Sequence, residues 1–142
     1  KQDRRPDEVL VEIEVPLWAK PAELSCQKVT KRFDDDISAV CGCFNIAVAK
    51  GKVASARIAF GGMAGVPKRA LALEKALAGG NWSREAVEKA VSALERDFKP
   101  IDDLRASAAY RMAVAKGLLL RCYVERAGPA ARLSLAGATA GG

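Results

Sequence analysis

The chain has 142 residues, half of them hydrophobic, with 23 Lys and Arg against 17 Asp and Glu, a formal charge of +6 and no histidine. That length and composition suit one folded domain with a hydrophobic core and exclude a disordered chain. The basic residues run from Lys1 to Arg132 with acids interleaved, which marks a solvated surface and not a nucleic-acid footprint.

Four cysteines, Cys26, Cys41, Cys43 and Cys122, form neither a metal site nor a disulfide framework. Cys41-Gly42-Cys43 lacks the CxxC spacing of zinc chelators, and no histidine completes a mixed site. Cys41 and Cys43 lie in an apolar run and read as small buried residues. A reducing, cytoplasmic setting fits. The longest apolar run falls well short of the ~20 residues of a membrane span, and no signal peptide is visible.

In chain order, Val9, Val11, Ile13 and Val15 alternate with Leu10, Glu12 and Glu14, which predicts a half-buried strand ending at Pro16. Leu10 is the apolar member of the charged face. A second strand is expected over 24–30 and a third over 37–48, with Val40, Phe44, Ile46 and Val48 on one face. The opposite face of the third strand carries Cys41, Cys43 and Ala47, so this strand is expected to be central and covered on both sides. Gly42 marks a close neighbour. The segment Ala49 to Lys52 (AKGK) supplies a hairpin turn before a fourth strand over 53–60.

From there the period changes to about 3.6 and three helices are expected. The first opens at Pro67 and closes at Gly79-Gly80. The second takes Ser83 as N-cap with a Trp82–Val87 staple, and buries Val87, Ala90, Val91, Leu94 and Phe98. The third runs from about Ser107 to Glu125. Strands first and helices second predict an α+β sandwich, an antiparallel sheet of three to four strands covered on one face by three helices. Residues 1–7 read as a linker, 8–126 as the domain and 127–142 as a glycine-rich flexible tail.

Chemistry is sparse. Histidine, the usual general base, is absent and no serine sits in a nucleophile elbow. Gly61 to Gly65 (GGMAG) has neither P-loop nor dinucleotide-loop spacing and reads as a strand-to-helix crossover. Asp34, Asp35 and Asp36 lack the spaced ligands of a calcium loop, so no metal site is expected. Lys28 on the second strand, followed by Lys31, Arg32 and the aspartates, reads either as a surface ion-pair cluster or as a lysine placed to meet an anionic ligand gated by the charged loop.

Four ordered blocks, LVEIEVP (Leu10 to Pro16), KVTKRFDDDISAV (Lys28 to Val40), RIAFGGMAGVPKRA (Arg57 to Ala70) and DLRASAAYR (Asp103 to Arg111), give the chain a resemblance. It resembles the C-terminal domain of the FAD-binding subunit of molybdenum hydroxylases, most of all those of the xanthine dehydrogenase type. The resemblance implies a small α+β sandwich beside the flavin, following FAD-binding and [2Fe-2S] domains that lie outside this chain. It further implies a molybdopterin-binding large subunit, and electrons passing from molybdopterin through [2Fe-2S] clusters and FAD to NAD as hypoxanthine and xanthine are oxidised to urate. By the same resemblance Leu10 and Lys28 are FAD contacts, and Lys31, Arg32, Asp35 and Asp36 belong to a flavin-adjacent loop, where Phe33 replaces a second arginine of some relatives. Arg105, Ser107, Tyr110 and Arg111 match a motif read as a capping and packing element. The chain alone is expected to be inactive, with no nucleic-acid or membrane partner. The alternatives are the flavin subunit of a CO or aldehyde dehydrogenase of the same superfamily, and a non-enzymatic basic α+β binding module.

Overall fold

The computed structural model describes residues 4–15, 24–33 and 36–127. Its sheet is organised by a two-residue turn in which Lys50 and Gly51 both take left-handed backbone (φ 51° and 73°). That geometry matches the twist of two antiparallel strands. The turn joins β2 (Ser38–Ala49) to β3 (Lys52–Gly61), with β1 (Leu24–Thr30) on the far side of β2. A two-residue strand, β4 (Lys68–Arg69), closes an antiparallel sheet of order β1-β2-β3-β4. The helices follow: α1 (Leu71–Leu77), α2 (Arg84–Ala90) continuing through a 3-10 turn (Val91–Ala93) into α3 (Leu94–Asp97), and α4 (Ala108–Ala127). The expected α+β sandwich is the architecture observed.

Alternation on β2 sets the core. Val40, Phe44 and Ile46 are buried with Ile58 and Phe60 of β3 against Leu73, Leu77, Val87, Leu94 and Leu119 of the helices. Phe44, Phe60 and Phe98 form an edge-to-face chain with successive centroids 5.6 Å apart, a geometry that adds to their area burial. A Cβ on Gly42 would lie 2.9 Å from the Phe44 ring and 3.0 Å from that of Phe60, so the expected close neighbours are these rings.

The second face of β2 differs from the expectation. Cys41, Cys43, Asn45 and Ala47 are only half-buried, because the helices cover one side of the sheet. β2 is central within the sheet yet single-sided. Of the cysteines only Cys122, inside α4, is buried; Cys41 and Cys43 are intermediate and Cys26 is exposed. Val48, expected to share the buried face, sits past an irregularity between Ala47 and Val48 and is exposed.

The first helix starts at Leu71, four residues after Pro67. Lys68 and Arg69 instead pair back onto Phe60 and Ala59. The helix has no cap of its own at Ala70; Asp97, at the end of α3, accepts from the N–H groups of Ala72 (2.8 Å) and Leu73 (3.0 Å) and caps it across the fold. Buried Glu74 accepts from Ile58 N–H at 2.8 Å and from Arg69 Nε at 3.0 Å, so a helix carboxylate continues the ladder where β4 is too short to do so. The second helix begins as expected: Ser83 Oγ accepts from Ala86 N–H, and Val87, Ala90, Leu94 and Phe98 are buried, whereas Val91, expected in the same stripe, lies in the 3-10 turn and is half-buried.

Residues 9–15 lie outside the sheet. Val9, Val11, Ile13 and Val15 are 74–89% exposed, and the expected half-buried strand is absent from the described residues. Alternation specifies an apolar face but supplies no edge to pair with. The end of that strand at Pro16 and the 128–142 part of the expected tail fall outside the described residues.

Candidate flavin-facing site

The end of the sheet opposite the hairpin turn is tied together by one side chain. Arg111, on the first turn of α4, is 4% exposed. Its Nη1 donates to Ala39 O at the start of β2 (2.6 Å) and to Gly62 O just past β3 (2.7 Å). Its Nη2 donates to both carboxylate oxygens of Asp103 at 2.7 Å. Asp103 also accepts from the N–H groups of Arg105 (2.8 Å) and Ala106 (3.1 Å), turning the chain into α4. These donors, the two backbone N–H groups and then the guanidinium, hold the Asp103 carboxyl below its usual range.

Gly62 makes the convergence possible. Its φ of 80° lies in the left-handed region, and a Cβ there would stand 2.3 Å from Ala39 O. The expected crossover role of the GGMAG segment therefore acquires a specific cause: β3 can leave the sheet only by passing against the carbonyl that Arg111 holds.

Among the described residues three adjoining clefts lie around this junction. The largest, 640 Å³, includes Ile37, Cys41, Gly62, Lys99 and Arg105 in its wall. A second, 540 Å³, runs between Lys31, Arg32, Asp36 and Leu104, and again meets Arg105. The third, 440 Å³, is bounded by Thr30, Lys31, Arg105 and Tyr110. Arg105 faces all three, and Lys31 two of them.

Lys28 stands on β1 directly opposite Cys41, on the sheet face away from the helices, one strand over from the largest cleft. It is held there by strand pairing on both sides, Gln27 to Gly42 and Val29 to Val40. Arg32 and Asp36 form an ion pair at 3.4 Å. The Asp36 carboxylate also accepts from Arg32 N–H (3.0 Å) and Ile37 N–H (2.9 Å), donations that lower its pKa and shape the loop itself. Among the described residues Lys28, Lys31, Lys99 and Arg105 have no carboxylate partner, so four cations gather at this end of the sheet. With the carboxylates of Asp36, Asp102 and Asp103 committed to backbone donors, the arrangement suits holding an anionic or electron-rich ligand, not acid–base chemistry.

The structure thus brings Lys31, Arg32 and Asp36 together and sets Lys28 beside them. Leu10 is 69% exposed, in the segment outside the sheet, and lines none of these clefts. Asp35 lies outside the described residues. Two cleft cations escaped the reading of the site, Lys99 and Arg105. The signal for Arg105 was local: Asp103 turns the backbone and Ser107 caps α4, accepting from Tyr110 N–H, so the residue between them is presented on a fixed loop.

Comparison with known proteins bears on the family and the fold. The sequence profile of the CO dehydrogenase flavoprotein C-terminal domain matches residues 25–126. A nicotinate hydroxylase of Emericella nidulans is 32% identical over 122 residues, covering 81% of this chain and 9% of that protein. Xanthine dehydrogenase 1 of Arabidopsis thaliana is 32% identical over 102 residues, covering 68% of this chain and 7% of that one. Among solved structures, a carbon monoxide dehydrogenase from Hydrogenophaga pseudoflava superposes with a TM-score of 0.66 at 32% identity, over 75% of this chain and 37% of the other. The chain therefore spans under a tenth of the curated relatives and little over a third of the solved one. With its four-stranded sheet, its helical layer and a profile match over most of its length, the chain belongs to the CO dehydrogenase flavoprotein C-terminal domain family of the molybdenum hydroxylases.

Proposed function

We propose that this domain covers FAD in a molybdenum hydroxylase of the xanthine dehydrogenase type, with NAD as electron acceptor. The observation that carries the reading is the group of cations at the end of the sheet, where Lys28 is fixed by strand pairing beside a thiol- and glycine-lined cleft. When bound, FAD supplies the step between the iron–sulfur clusters and hydride delivery to NAD. Lys28 places one positive charge at the flavin edge at little entropic cost, because β1 already holds its backbone. Lys31 and Arg105 attract a polyanionic dinucleotide to the adjoining clefts. The Arg32–Asp36 loop, folded on its own backbone hydrogen bonds, bounds the opening through which that dinucleotide enters. The exposed face of Leu10 meets the flavin side of the upstream domain. In this reading the iron–sulfur domains and the molybdopterin subunit are partners outside the chain, purines are the substrates, and the assembly is cytoplasmic.

A second reading, the flavin subunit of a CO or aldehyde dehydrogenase, is favoured by the 32% identity to the Hydrogenophaga enzyme, which equals that to xanthine dehydrogenase 1.

Lys28→Ala in the complete enzyme tests the flavin role. A charge-assisted contact is worth about 1.5–3 kcal/mol, so FAD retention or the rate of NAD⁺ reduction is expected to fall by about tenfold or more. Lys89→Ala, an exposed change on α2, is expected to alter neither. Full FAD content together with unchanged NAD⁺ reduction in the Lys28 variant would remove the assignment.

A further inference from the structure

We propose that Cys26 and Cys43 form a cross-strand dithiol site, thiolated at Cys26 by a low-molecular-weight disulfide of the glutathione class and then closed to an internal disulfide.

Cys26 on β1 and Cys43 on β2 are directly opposed in the antiparallel register. Both point away from the helices: Cys43 is flanked by buried Gly42 and Phe44, and Cys26 is followed by buried Gln27. Directly opposed side chains have Cβ atoms about 4.5–5.5 Å apart, and a disulfide needs about 3.5–4.5 Å, a closure within the reach of small strand adjustments. Cys41, on the same face, is opposed to Lys28 and diagonal to Cys26. Diagonal neighbours stand about 7–8 Å apart, beyond disulfide span. Cys41 and Cys43 stand two positions apart on one extended strand, about 6.6 Å along it, which is also beyond the Cβ span of a disulfide, so the register favours Cys26–Cys43 among the three thiols.

Exposure sets the order of events. Cys26 is the exposed thiol, whereas burial, then hydrogen bonding with Cys26, pushes the Cys43 thiol up to about 12 and keeps it protonated. Cys26 thiolate attacks one sulfur of the small disulfide; that S–S bond breaks, one small thiolate leaves, and Cys26 carries a mixed disulfide. Cys43 then releases its proton to solvent and its sulfur attacks the Cys26 sulfur, displacing the second small thiol. Overall two protein thiols and one small disulfide become one protein disulfide and two small thiols, the small disulfide being the oxidant. The bond staples the edge strand β1 to β2.

The test is incubation of the full chain with oxidised glutathione, followed by intact-mass measurement and peptide mapping without reduction. The expected result is loss of two hydrogens from the chain and a Cys26–Cys43 peptide in roughly tenfold excess over Cys26–Cys41, both reversed by dithiothreitol. Cys41→Ser is expected to behave as the parent, and Cys43→Ser to stop at a glutathione adduct on Cys26. A parent chain that keeps a stable glutathione adduct, forms mainly a Cys26–Cys41 or a Cys41–Cys43 bond, or does not react overturns the proposal.

Discussion

Arg111→Ala is expected to lower the stability of the domain by about 3 kcal/mol, because it removes a buried guanidinium and leaves two backbone carbonyls without their donor, at about 1–3 kcal/mol each. The guanidinium is nearly inaccessible and serves three separate parts of the chain through its two terminal nitrogens. Its loss strands the carbonyls of Ala39 and Gly62 and leaves a void at the foot of α4. Among the described residues the Arg111 Nε is itself buried without a partner, so the native arrangement already bears one unsatisfied donor there. Urea unfolding should show the midpoint falling with an unchanged slope, the sign of lost stability without a changed unfolded state. Arg111→Lys should recover only part of the loss, since one ammonium cannot reproduce the planar fork. The pair also fixes a pH signature. Asp103 titrates below its ordinary value of 3.8 when folded, so its stabilising effect is complete above the unfolded carboxyl range and fades as pH falls through the lowered folded value. The stability gap between the parent and Asp103→Asn should therefore close in acid, below about pH 3.8. An Arg111→Ala midpoint equal to that of the parent would contradict the clamp.

Gly62→Ala should cost about 3 kcal/mol or more, from two sources that reinforce one another. A left-handed backbone at a non-glycine residue costs roughly 1–2 kcal/mol. The larger part is steric: the new methyl meets the Ala39 carbonyl 2.3 Å away, and that carbonyl is backbone held in place by Arg111, so it cannot swing aside. Gly51→Ala is the matched comparison, because Gly51 has a similar φ of 73° and nothing within 4 Å of the added atom. It should show the conformational cost alone. Thermal unfolding of the two variants separates the causes: similar losses for both would mean that Gly62 is kept for backbone conformation only.

Local features carried the legible part of the fold. AKGK announced a hairpin because a glycine in a two-residue turn answers a requirement met within four residues, and Ser83 announced a helix because its hydroxyl reaches only to Ala86. The features that went unread depend on distant partners. β4 is two residues long and is completed by Glu74 from a helix, Asp97 caps α1 from 25 residues away, and Arg111 reaches back to Ala39. The apolar pattern of Cys41 and Cys43 reads equally well for a strand covered on both sides and for one with small residues on an open face; only the placement of the helices decides. For the site, Lys28 was legible as a cation on a strand, whereas Arg105 and Lys99 became cleft residues only once the loop before α4 folded against Gly62. Leu10 belongs to a strand pattern whose partner edge is not among the described residues.

The reach of Arg111 also bears on the order in which the domain assembles. Its bonds to Ala39 and Gly62 span 72 and 49 residues, whereas β2 and β3 meet across a two-residue turn. Closing long loops costs entropy before any contact rewards it, so the hairpin is expected to form early and the guanidinium to lock last. An interaction made after the rate-limiting step slows escape from the native state without hastening arrival. Arg111 should accordingly act as a kinetic latch: in stopped-flow measurements its removal is expected to raise the unfolding rate and leave the refolding rate nearly unchanged.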